Sequence, residues 1–136
     1  MDMDSEKLRV LIVDDNADYS AATADLLRSW GYCSEVTSSA RNAFELAERF
    51  RPRAVILDLG LPDLHGYELA KRLREQAGAR KIHFIVVTGW MQIADQLSSN
   101  AAGIAHHLIK PVNTDVLREI LAAYQSAEEI SATIGV

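Results

Sequence analysis

The chain is short of cysteine, proline and positive charge, and each shortage excludes something. Cys33 is the only cysteine, so no disulfide can form within the chain, and a reducing cytoplasm is the expected setting. Cys33 itself reads as a small core or half-exposed residue. Three prolines and no low-complexity tract leave little room for a linker. The formal net charge is -5, which argues against nucleic acid as a direct partner, because phosphate binding calls for a basic patch. The apolar runs reach only strand length, so no membrane span is expected. The acidic start, Met1-Asp2-Met3-Asp4-Ser5-Glu6, has no apolar stretch and does not read as a signal peptide.

What is present is a regular alternation. An apolar share of 49% in 136 residues suits one globular domain with a sizeable core. That core is expected over about residues 8–126, with flexible ends at 1–6 and 131–136. Five apolar runs, at 8–13, 32–37, 53–58, 83–88 and 104–109, alternate with five helical patterns. The helices are predicted from about Ala17 to Trp30, Ser39 to Phe50, Gly66 to Gln76, Gln92 to Ala102 and Thr114 to Glu129. Tyr19, Ala22, Leu26 and Trp30 share one face of the first helix, and Ala43, Leu46, Ala47 and Phe50 one face of the second. The last helix rests on Val116, Leu117, Ile120, Leu121 and Tyr124. Gly31 and Gly78 stop the first and third helices. The run at 32–37 is the most polar, which suggests an edge strand.

Strict alternation of strand and helix predicts an α/β fold, a doubly wound five-stranded parallel sheet in the order 2-1-3-4-5. In that order ligands bind in a crevice at the carboxyl ends of the first and third strands. Strand one ends in Asp14-Asp15, strand three in Asp58, strand four in Thr88 and strand five in Lys110. Alone, each aspartate reads as a helix cap or turn residue, Thr88 as a strand residue and Lys110 as a solvated charge. Together they form one site. Three crowded carboxylates resist ionising unless a cation sits among them, and an open, oxygen-rich set suits Mg²⁺. An ammonium and a hydroxyl beside them could hold a tetrahedral anion, as phosphoryl transfer to a carboxylate requires.

The segments "LIVDDN", "VILDLGLPDLHGYEL", "VVTGW" and "HHLIKPV" together resemble the response-regulator receiver domain of two-component signalling, over about Leu8 to Tyr124. The resemblance implies the flavodoxin-like receiver fold. It implies that Asp58 accepts a phosphoryl group from a phosphohistidine on a histidine kinase or phosphotransfer protein. It also implies that Asp15 and Asp58 hold Mg²⁺ with the Gly60 carbonyl, while Asp14 acts mainly through water. Lys110 would pair with the phosphoryl oxygens, and Thr88 would reorient to hydrogen-bond the phosphoryl group. Pro62 and Gly66 would stiffen and turn the loop after Asp58, Gly89 would leave room for the phosphoryl group, and Asp63 would face solvent. The Lys110–Pro111 bond is expected to be cis, aiming the ammonium at Asp58. Gly60 and Trp90, two residues beyond Asp58 and Thr88, flank the approach of hydrolytic water in the family; neither can act as a base.

The sequence departs from the family where a Tyr or Phe often stands three residues before the lysine. His107 occupies that place as a candidate switch, on the opposite strand face from His106. "GIAHHLIKPV" is closest in pattern to receivers of hybrid sensor kinases, and the origin of the chain as part of such a fusion or as a free-standing regulator stays open. A flavin protein is disfavoured because "DDNAD" would repel its phosphate. A haloacid-dehalogenase phosphatase would place a nucleophile and an acid two residues apart, and Asp14 and Asn16 do not supply them. The alternative is a degenerate receiver serving as a phosphorylation-independent protein-binding module. The domain modifies only itself, so it is not expected to be an enzyme in the strict sense. With no output domain after the fifth helix, the signal is expected to pass by contact, through the face of the fourth helix, fifth strand and fifth helix.

Overall fold

A computed structural model describes residues 7–89, 104 and 106–134, with side chains described to residue 130. Trp90, the predicted fourth helix at 92–102 and both extreme ends lie outside the described residues. Five strands form one parallel sheet: β1 (Arg9–Val13), β2 (Cys33–Thr37), β3 (Ala54–Leu57), β4 (His83–Thr88) and β5 (His106–Ile109). Their order is β2-β1-β3-β4-β5, as the alternation predicts, and β2 is indeed an edge. The register sets Val13 beside Thr37 and Leu57, Leu57 beside Val86, and Thr88 beside Ile109. All five strands therefore finish on one rim.

Both faces of the central strands are covered, which explains why β1, β3 and β4 read as continuous apolar runs. Leu11, Val13, Val55, Leu57, Phe84 and Val86 face one layer, built from α2 (Ala40–Phe50) and α3 (Gly66–Ala77). Val10, Ile12, Ala54, Ile56, Ile85 and Val87 face the other, built from α1 (Ala17–Ser29) and a C-terminal helix (Thr114–Ile134). No helix among the described residues is long and apolar enough to cross a membrane.

Each helix among the described residues begins on a side chain that accepts a backbone N–H, the usual remedy for the unpaired first turn. Asn16 accepts from Tyr19, Ser39 from Asn42, His65 Nδ1 from Tyr67, and Asn113 from Asp115 and Val116. Gly31 and Gly78, at φ 94° and 62°, close α1 and α3, where an L side chain would be strained.

Two helix faces differ from expectation. On α1 the buried residues are Ser20, Thr23, Ala24 and Leu27, while Ala22 is exposed. The stripe is rotated because Ser20 and Thr23 donate their hydroxyls to Ala17 and Tyr19 carbonyls of their own helix, so they can be buried at little cost. On the C-terminal helix Leu117 and Leu121 are buried, but Val116 is exposed. That helix also continues to Ile134, beyond the expected end near Glu129 and into the segment expected to fray.

Candidate functional site

Asp14 and Asp15 follow β1, and Asp58 follows β3, its neighbour in the sheet. Parallel pairing carries through to the rim: Asp58 N–H donates to Val13 C=O at 3.0 Å, and Asp14 N–H to Thr37 C=O at 3.1 Å. The three carboxylates consequently converge, with one oxygen of each within 4.8 Å of the others. Asp14 is buried, Asp58 half-buried and Asp15 exposed, so the cluster opens to water on one side.

Lys110 closes it. Its backbone N–H donates to Thr88 C=O at 2.9 Å, which ties the end of β5 to the end of β4. Its ammonium donates to Asp14 Oδ2 at 2.7 Å and to Asp58 Oδ2 at 3.3 Å. Burial works against that charge, but the hydrogen bond and charge of Asp14, then those of Asp58, outweigh it and raise the lysine pKa. The second Asp14 oxygen accepts Asn16 N–H, and the second Asp58 oxygen accepts Gly60 N–H. Thr88 is buried at its strand end. The Lys110–Pro111 bond is cis, as expected.

The arrangement is a small acidic cleft with one cation inside it. Asp58 presents a half-buried carboxylate held by an ammonium and a backbone amide, as an oxygen nucleophile needs to be held. The donor set is all oxygen and partly solvated, which fits a hard divalent ion such as Mg²⁺ and not a thiolate or imidazole metal. Asp14 and Asp58 each have both oxygens engaged by protein donors, while Asp15 is the exposed member of a cluster that could hold a metal ion.

The family model described as the response regulator receiver domain matches residues 10–122. The chain belongs to that family. Among its relatives is the polar-differentiation response regulator DivK of Brucella anthropi, 29% identical over 115 residues, spanning 85% of this chain and 94% of that one. A CheY-like receiver domain from Methanospirillum hungatei superposes with a TM-score of 0.81 at 28% identity, covering 90% of this receiver and 98% of that structure. The receiver domain of Saccharomyces cerevisiae Ssk1, in a structure with the phosphotransfer protein Ypd1, shares the fold at a TM-score of 0.79 and 24% identity, covering 90% and 91%.

Several residues of this receiver have parts that the sequence reading did not assign. Tyr19, expected on the apolar face of the first helix, lies beneath the site with Lys110 Nζ 4.5 Å from its ring centroid. Asp63 is exposed, as expected, yet its carboxylate accepts the N–H groups of Ala40 and Arg41 at the start of α2. Those two bonds hold its pKa below the ordinary value. Gly66 does not turn the loop; it opens α3 in contact with the backbone of Asp58. His106 and His107 do lie on opposite faces, against Tyr124 and Tyr67 respectively. His107 Nε2 is buried without a hydrogen-bond partner, and burial followed by the His106 charge lowers its pKa.

Proposed function

We propose that this receiver accepts a phosphoryl group on Asp58 from a phosphohistidine of a histidine kinase or phosphotransfer protein. The observation that carries the reading is the Lys110 ammonium bridging Asp14 and Asp58 inside the acidic cleft. An Asp58 carboxylate oxygen attacks phosphorus, the P–N bond breaks, and its electron pair stays on the imidazole nitrogen, which water then protonates. The product is an acyl phosphate on Asp58. Lys110 is poised to transfer one of its hydrogen bonds from a carboxylate to a phosphoryl oxygen, and Thr88 to donate its hydroxyl to another.

Mg²⁺ would be held by Asp15, Asp58 and the Gly60 carbonyl, with Asp14 acting through water. When bound it supplies positive charge against the phosphoryl oxygens and offsets the crowded carboxylates. The Ssk1 receiver, which shares this fold, was crystallised with a phosphotransfer protein, and that supports a donor of the same kind. Signal release would run from Thr88 and His107 to the face of β5 and the C-terminal helix, where Ile109 and Val116 are exposed, together with the helix expected at 92–102. The domain is read as the whole of residues 1–136, acting in the cytoplasm.

Incubation with acetyl phosphate and Mg²⁺, followed by intact mass, tests the proposal. One added phosphoryl group is expected, and none in Asp58→Asn. Phosphorylation that persists in Asp58→Asn, or none in the wild type, would reject the assignment.

A further inference from the structure

The opposite rim, where the strands begin, carries the reverse charge. Arg53 N–H donates to Arg9 C=O and His83 N–H to Arg53 C=O, both at 2.9 Å. These bonds set Arg9, Arg53 and His83 side by side at the entrances of three neighbouring strands. Arg51 stands just before Arg53, and Arg80 and Lys81 just before His83. Among the described residues, two carboxylates, Glu128 and Glu48, act on these cations. Glu128 pairs with Arg53 at 3.7 Å and meets His83 at 3.3 Å, while Glu48 accepts the Gln76 amide at 2.7 Å. Among the described residues, the cations named here outnumber these two carboxylates, in a chain whose net charge is -5.

Glu48 is the one carboxylate whose charge favours the Arg80 guanidinium, among the described residues, and it leaves part of that guanidinium unserved. Arg80 Nη1 is buried and has no hydrogen-bond partner. A buried guanidinium nitrogen without an acceptor is costly, and an anion held by the accessible part of the same guanidinium would offset that cost. Burial, then the charges of Arg51 and Arg53, lower the Arg80 pKa, as expected where cations crowd without enough anions. Beside it opens a cavity of about 520 Å³ lined by Arg80, Lys81, His83, His106 and Tyr124, among others. That volume lies in the range of small-molecule sites, about 300–1,000 Å³.

We propose that this cavity binds a polyphosphate group, either free or carried by a nucleotide, through Arg80 and Lys81. The several cations call for more than one negative charge, and a cavity calls for a compact ligand. A long nucleic acid would instead meet the acidic remainder of the surface. The site lies at the far end of the sheet from Asp58 and does not rest on the phosphoacceptor reading.

Isothermal titration in EDTA, which keeps metal from the aspartate cluster, tests it with sodium pyrophosphate and with ADP as separate probes. Saturable one-to-one binding of at least one probe is expected, weakened about tenfold in both Arg80→Gln and Lys81→Gln and by added salt. Equal binding of both probes would assign free polyphosphate, and binding of ADP alone would assign a nucleotide. Far-UV circular dichroism checks the folding of Arg80→Gln, and if that variant is unfolded Lys81→Gln decides. The proposal fails if neither probe binds, or if binding survives the decisive substitutions unchanged.

Discussion

Replacing Gly66 with alanine is expected to destabilise the protein although it places a better helix former at the start of a helix. A Cβ at position 66 would lie 2.7 Å from the Asp58 carbonyl oxygen, 2.7 Å from Leu57 Cδ1 and 2.9 Å from Leu59 Cα. Ordinary contact begins at 3.4 Å, so against a distance of 2.7 Å something must retreat by about 0.7 Å. Two of the three atoms are backbone, and that backbone is pinned. Asp58 N–H is bonded to Val13, Gly66 N–H donates to Leu59 C=O at 3.1 Å, and Leu57 is fully buried. Overpacking of this kind costs about 1–3 kcal/mol, while exchanging glycine for alanine in a helix returns up to about 1 kcal/mol. The net loss should be about 1–2 kcal/mol, or about 4–8 °C in Tm for a domain of this size. Gly60→Ala is the control, because nothing lies within 4 Å of its Cβ position and its φ is not left-handed, so it should stay within about 0.5 kcal/mol of wild type. Urea unfolding followed by circular dichroism measures both. Acetyl-phosphate labelling of Gly66→Ala should also slow, since a misplaced nucleophile can cost up to about 100-fold. A Gly66→Ala protein as stable as wild type would refute the idea that this contact fixes the end of β3.

Lys110→Met should cost about 1–3 kcal/mol by leaving buried Asp14 without its ammonium. Because the folded lysine pKa lies above its ordinary 10.5, the ion pair's stabilisation is fully present below pH 10.5 and is lost as pH rises through the folded value. Alkaline urea titrations should show this loss in wild type and not in the variant. Asp15→Ala should weaken Mg²⁺ binding about tenfold by calorimetry, and more than Asp14→Ala, whose oxygens are already engaged; equal or larger loss in Asp14→Ala would reject the ligand assignment. His107→Phe should raise stability by about 1 kcal/mol by removing the unpaired Nε2. With its folded pKa below 6.5, His107 costs stability as pH falls through 6.5, so the gain should grow between about pH 7.5 and about pH 5.5; a gain that shrinks would count against a buried neutral ring. Asp63→Asn should lower Tm at neutral pH. The stabilisation lost with the carboxylate is present above pH 3.8 and disappears as pH falls through the depressed folded value, so the two proteins should converge in acid.

The strands and the acidic rim were legible because both follow from short-range rules. A run such as Ala54–Leu57 can be apolar throughout only if both sheet faces are covered, and alternation with helices then forces the strand ends onto one rim. What escaped the sequence were contacts whose partner is remote or whose polarity is satisfied locally. Ser20 and Thr23 look like surface residues until their hydroxyls find carbonyls one turn back. Asp63 looks like a loop carboxylate, because nothing in its neighbourhood announces two amide donors more than twenty residues earlier. Gly66 carries the same composition signal whether it turns a loop or clears space for a strand, and only the distance to Asp58 separates the two.

The reach of Asp63 to Ala40 and Arg41 also bears on the order in which the protein can mature during synthesis. The first turn of α2 leaves the ribosome 22 to 23 residues before the carboxylate that serves two of its amides. At about 5–20 residues per second that is an interval of roughly 1–5 s. During it, Ser39 is the cap available from residues already made. The clasp is delivered on the same stretch of chain that brings β3 to the open side of β1 and Asp58 to the rim. Completion of the helix and assembly of the acidic rim are therefore bound to one event in the emergence of the chain.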